Sequence, residues 1–163
     1  MNRQAKLYSK KARDYFNKDY NCAQSVILTM QEYYGSKRSS MIPKLATAFG
    51  AGIGRRGSLC GALTGGVMAI GLKHGTNGTD LDEKEKAYKI ALEFFDKFVD
   101  EFESPFCREL TGYDLTVEAE RERMRKAKVR DQKCSRFVAG SVELLIGIES
   151  KSRKSVRQQH SAR

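Results

Sequence analysis

The chain lacks tryptophan and has only two prolines and two histidines in 163 residues. Scarce proline leaves long stretches free to be helical. With two histidines, a histidine-rich metal site is excluded. The four cysteines contain no C-x-x-C pair, which excludes a thioredoxin-type motif, a zinc ribbon and, without C-x-x-C-H, covalent c-type haem. Apolar runs are short as well. The longest, residues 59–72, has four glycines and is too short to span a bilayer, so no membrane span is expected. No segment alternates with period two between turn signals, and no internal repeat is visible. The first residues lead into a charged amphipathic stretch with no signal-peptide pattern, so a cytoplasmic setting with reduced thiols is expected.

Charge excludes less than the net +10 implies. Residues 150–163 contribute five Lys/Arg and no acid. This basic tail has a single branched apolar residue, Val156, and is expected to be mobile and separate from a body of residues 1–149. A second basic run, residues 121–128, has no interleaved aromatics and reads as a solvated helix face. No specific nucleic-acid partner is expected from either run.

Helical periodicity covers the body. Residues 3–18 carry Ala5, Tyr8, Ala12, Tyr15 and Phe16 on one stripe. Asn21 caps a second helix, and a short third spans 43–49. The glycine-rich connection 50–57 matches G-x-G-x-x-G literally. No strand precedes it, so a dinucleotide site is rejected in favour of a turn and close packing. A fourth helix, 59–74, is apolar on nearly all sides and is expected to be the central element, with Gly61 and Gly65 allowing close approach. His74 at its end is expected to act as a C-terminal cation. Asp80 and Glu83 cap a fifth helix, whose Phe94, Phe95, Phe98 and Phe102 exceed what one face of a monomer would bury and leave a homodimer open. Short helix six (105–110), helix seven (117–130) and helix eight, from about Asp131, complete the chain. The expectation is an all-α, single-domain bundle of six to eight helices.

On this count Cys22, Cys60, Cys107 and Cys134 open helices two, four, six and eight. Antiparallel neighbours would place all four at one end of the bundle. A thiol in a helix's first turn loses its proton more easily, and the thiolate is the form that attacks disulfides and binds metal. Arg55 and Arg56 before Cys60, Arg108 beside Cys107, and Lys133 and Arg136 around Cys134 could add to that effect. Cys60, after the glycine loop and Arg55/Arg56, is the expected attacking thiol.

Cys60-Gly61-Ala62-Leu63-Thr64-Gly65 resembles the CGAxxG motif of the C_GCAxxG_C_C family, described as redox-active proteins with four cysteines. Asn21-Cys22-Ala23-Gln24, Cys107-Arg108-Glu109-Leu110 and Cys134 resemble its other cysteine positions, and the likeness spans residues 5–149. The resemblance implies a redox role; a related domain in multihaem cytochromes adds the idea of non-haem iron on cysteine. Three functional classes follow. The first is thiol–disulfide exchange with a partner protein or small disulfide, needing no cofactor. The second is a four-cysteine iron–sulfur cluster or Zn²⁺ site on Cys22, Cys60, Cys107 and Cys134. The third is an interaction module whose cysteines merely pack. In the first two, Gly61, Gly65, Arg55 and Arg56 form a supporting shell.

Overall fold

A computed structural model describes the backbone of residues 3–37 and 39–161, with the side chains of 153–161 excepted. Among these residues there are eight helices and no strand: α1 (Arg3–Asn17), α2 (Cys22–Tyr33), α3 (Met41–Ala46), α4 (Gly61–His74), α5 (Leu81–Phe102), α6 (Cys107–Thr111), α7 (Glu118–Lys126) and α8 (Ser135–Ser161). The fold is all-α, as composition and periodicity imply. The backbone of the tail continues α8 as far as Ser161, and residues 162–163 lie outside those described.

Two helices start where a side chain satisfies their open N–H groups. Asn21 and Gln24 form a reciprocal capping box at α2, and Asp80 accepts the Glu83 N–H at α5. Helix α2 packs on α1, α4 and α8, and α1 lies along α8. The shared core includes Phe16, Val26, Met30, Leu63, Phe94, Phe98, Val142 and Ile146. Phe94, Phe98 and Phe102 are buried and Phe95 is half-buried within one chain. Their number therefore gives no reason for a second copy, contrary to the sequence argument.

Several boundaries differ from the sequence reading: α3 spans Met41–Ala46 rather than 43–49, and α4 opens at Gly61 rather than at 59. Helix α7 ends at Lys126, because Lys128 turns left-handed (φ 51°) and breaks the chain before Val129. No glycine or proline marks that break. Residues Arg130–Cys134 then form a π-helical turn leading into α8. Helix α6 begins at Cys107 rather than Pro105, since Leu59 and Phe106 pair in an isolated antiparallel bridge. Burial on α4 is concentrated in its first half; Val67 and Leu72 are exposed, so it is not apolar-enclosed on all sides. His74 lies in the last turn of α4, as expected, and is paired there. Its Nε2 lies 2.7 Å from Oε1 of buried Glu149, which also accepts from Tyr34.

The contact of α4 with α2 is set by missing side chains. A Cβ on Gly65 would stand 2.5 Å from the Ala23 carbonyl oxygen, and one on Gly61 would stand 3.0 Å from Cβ of Cys22. Backbone cannot yield as a flexible side chain can. Gly71, farther along the same helix, has no neighbour within 4 Å of its would-be Cβ. Gly65→Ala is therefore expected to destabilise the protein by about 1–3 kcal/mol or more. Gly71→Ala should stabilise it by up to about 1 kcal/mol. Urea denaturation of the two variants checks both signs.

Candidate functional site: a four-cysteine cluster

Each cysteine is delivered by a different local device. Asn21 fixes Cys22 at the first position of α2. Its side-chain amide donates to the Thr47 carbonyl (2.8 Å), while Gln24 donates to the Pro43 carbonyl (2.9 Å). The segment carrying α3 is thereby tied to the start of α2. Gly50 lies hard against Asn21, where a Cβ would sit 2.8 Å from the amide nitrogen.

Cys60 and Cys107 are joined through backbone. The Cys60 N–H donates to the Pro105 carbonyl (2.8 Å) and the Cys107 N–H to the Ser58 carbonyl (2.7 Å). These bonds flank the Leu59–Phe106 bridge, a non-hydrogen-bonded antiparallel pair. Side chains alternate across such a ribbon, so Cys60 and Cys107 share the face opposite Leu59 and Phe106.

Over Cys107 lies the glycine-rich connection. Residues Ala51, Gly52, Ile53, Gly54 and Arg55 all have left-handed φ, between 56° and 73°. They form a left-handed turn closed by the Ser58 N–H on the Gly52 carbonyl (3.0 Å). Gly52 touches the site: its Cβ would fall 2.6 Å from Cβ of Cys107. The G-x-G-x-x-G match is thus a tight turn seated on a cysteine.

Cys134 ends the π-helical turn, one turn inside the last helical segment rather than in its first turn. Such turns recur at functional sites. Two cations stand beside it, Arg130 and Lys133. Arg130 donates to the Phe16 carbonyl (2.6 Å) at the end of α1 and stacks on the Phe16 ring at 4.0 Å. Lys133 donates to the Thr111 carbonyl at the end of α6 (3.4 Å). Both cations meet the negative end of a helix dipole and are held in place by it.

All four thiols act on one another electrostatically, and none is in a disulfide. Cys22 and Cys134 share a side-chain hydrogen bond. That bond makes Cys22 the proton holder, and burial and the other three sulfurs push its thiol further up. Cys134 is held below the usual thiol range, first by the Cys22 hydrogen bond and then by Arg130 and Lys133. Cys60 is only 4% exposed, and burial raises it to about 11 against the opposing pull of the Ala62 and Leu63 N–H groups. Burial likewise raises Cys107 to about 12.

The helix-terminus argument is therefore corrected. Cys60 and Cys107 are raised because loss of water outweighs the dipole, and Cys22 is raised first by Cys134 and then by burial. The one lowered cysteine owes its state to a thiol partner and two anchored cations. Arg55 and Arg56 are exposed, and neither is among the charges acting on Cys60. Arg108 is committed to Asp114 at 2.8 Å, and Arg136 leans toward Glu101 at 3.6 Å. Cys60 is accordingly a poor attacking thiol. Arg130, one turn before Cys134, went unnoticed in the sequence; only its reach back to Phe16 makes it relevant. Gly61 and Gly65 press α4 onto α2 rather than lining a cofactor surface.

The four-sulfur metal reading needs convergence on one point. Among the described residues, no three His, Cys, Asp or Glu side chains are placed to hold one ion. Nor is any helix long and apolar enough to cross a membrane.

The family model described as "Putative redox-active protein (C_GCAxxG_C_C)" matches residues 20–148, most of the chain and all four cysteines. The chain belongs to this family, whose description gives it a redox role. No curated protein and no solved structure matches it.

Alkylation of the folded, reduced protein should resolve the four thiols. Cys134 is expected to react with an inflection below the usual thiol pH, and Cys60 and Cys107 to stay unmodified until the solution approaches pH 11. Peptide mapping across pH checks this. Folding stability follows the same sign. Cys60 and Cys107 are raised on folding, so their contribution is present below pH 9 and lost as pH climbs through the folded values. Urea midpoints of the native chain should fall between pH 9 and 11 more steeply than those of Cys60→Ala.

Proposed function

We propose that the protein is a thiol–disulfide redox protein in which Cys134 attacks and Cys22 resolves. The reading rests on one arrangement: Cys22 and Cys134 act directly on each other's ionisation, and the anchored cations Arg130 and Lys133 stand beside Cys134. A thiolate is the attacking species, and a neighbouring thiol within hydrogen-bond reach can break the resulting mixed disulfide.

The Cys134 thiolate attacks one sulfur of an oxidised partner, a protein or small disulfide. The partner's S–S bond breaks and one thiolate leaves. Cys22 gives up its proton to that leaving group. The Cys22 thiolate then attacks Sγ of Cys134 and expels the second partner thiolate. The protein ends with a Cys22–Cys134 disulfide, oxidised by two electrons, and the partner ends as one thiol and one thiolate, which takes its proton from water. Run backwards, the same steps oxidise a dithiol.

Cys60 and Cys107, buried and raised, stay protonated through this exchange. Their proximity would let a second disulfide form under stronger oxidation. No cofactor is required, and a reducing, cytoplasmic compartment would supply the starting thiols.

The test is to mix reduced protein with excess small disulfide, quench in acid and map the linkages by mass. The first intramolecular link is expected between Cys22 and Cys134. Cys134→Ser should abolish fast exchange, and Cys22→Ala should slow it roughly tenfold by removing the donor that favours the thiolate. An unreactive Cys134 in the folded chain would overturn the reading. So would protein purified without oxygen that carries one equivalent of iron or zinc and shields all four thiols.

A further inference from the structure

A cleft of about 430 Å³ opens between the left-handed turn and the junction of α7 with α8. Leu115 and Met124 line it with apolar surface, and around them stand five cations and a single carboxylate, Asp131. Three of the cations are already matched: Arg121 by Glu118, Arg125 by Glu122 at 3.9 Å, and Arg130 by Asp19 at 3.8 Å. The side chains of Arg55 and Lys128 have no ion pair or hydrogen bond among the described residues. Both sit on left-handed backbone, φ 73° and 51°, a conformation that costs a non-glycine residue about 1–2 kcal/mol. Arg130 completes the set. It lines the cleft and is also one of the two cations acting on Cys134.

Such a lining suits a molecule with an apolar body and negative charge at its edge. Apolar area gives affinity, and uncompensated cations at a low-dielectric wall select and attract an anion. The position matters as much as the composition, because Asp131 and Arg130 belong to the π-helical turn that ends in Cys134. A ligand seated there lies against the turn that carries the attacking sulfur.

We propose that this cleft seats the oxidised substrate of the thiol pair, and that the substrate is an anionic disulfide with an apolar body. The inference rests on the thiol reading above but makes a separate claim, about charge.

Two small aromatic disulfides separate the claims: bis(nitrobenzoate) disulfide, a dianion, and dipyridyl disulfide, which is neutral. The variant is Arg55→Asn with Lys128→Asn, since asparagine tolerates left-handed backbone and removes only the charge. The double variant is expected to react about tenfold more slowly with the dianion and at an unchanged rate with the neutral reagent. High salt should reproduce that loss in the native protein. The unchanged neutral rate, together with an unaltered melting curve, shows that the variant is folded. An equal loss with both reagents, or none with either, would overturn the cleft while leaving the thiol pair standing. If the native protein reacts with neither, the thiol reading falls by itself. The cleft is then judged by fluorescence titration with anilinonaphthalene sulfonate: binding about tenfold tighter to the native chain than to the variant supports an anion site, and equal binding removes it.

Discussion

Everything at the cysteine cluster depends on how closely α4 lies against α2. Gly61 and Gly65 bring the backbone of one helix to the backbone of the other at Cys22 and Ala23. That contact fixes where Cys22 stands relative to Cys60. The Ser58–Cys60 and Pro105–Cys107 ribbon carries the geometry on to the third cysteine. Helix α8, lying along α1 and against α2, brings the fourth. A larger residue at either glycine would move a helix, and the thiol pair would move with it.

The second governing effect is competition between burial and charge. A helix start stabilises a thiolate by a modest amount, whereas removing a thiolate from water costs more. Cys60 and Cys107 show burial winning. Cys134 shows what reverses it: a hydrogen-bond donor plus two cations whose positions are fixed by carbonyl oxygens at the ends of α1 and α6. A mobile surface arginine such as Arg55 or Arg56 has no such anchor and no such effect on Cys60.

Much of the fold was legible because helices announce themselves locally. Asn21 with Gln24 and Asp80 with Glu83 mark helix starts by side-chain chemistry that acts over three residues. The even-numbered placement of the cysteines rests on a helix count from which Cys134 departs, since it ends the π-helical turn before α8. Features built from distant contacts were not legible. Arg130 reaches Phe16 across 114 residues, and nothing near Arg130 announces it. The Leu59–Phe106 bridge is too short to carry a period. The break at Lys128 lacks glycine, so a residue with no special tolerance hides a left-handed turn. Burial of individual thiols, which decided their ionisation, depends on the finished packing and could not be read from neighbours in sequence.

The long span between Cys22 in α2 and Cys134 beside α8 also bears on how the chain is made. During synthesis Cys22 emerges early, and its partner is among the last parts of the body to appear. The pair cannot form until α8 docks along α1, a late, non-local step.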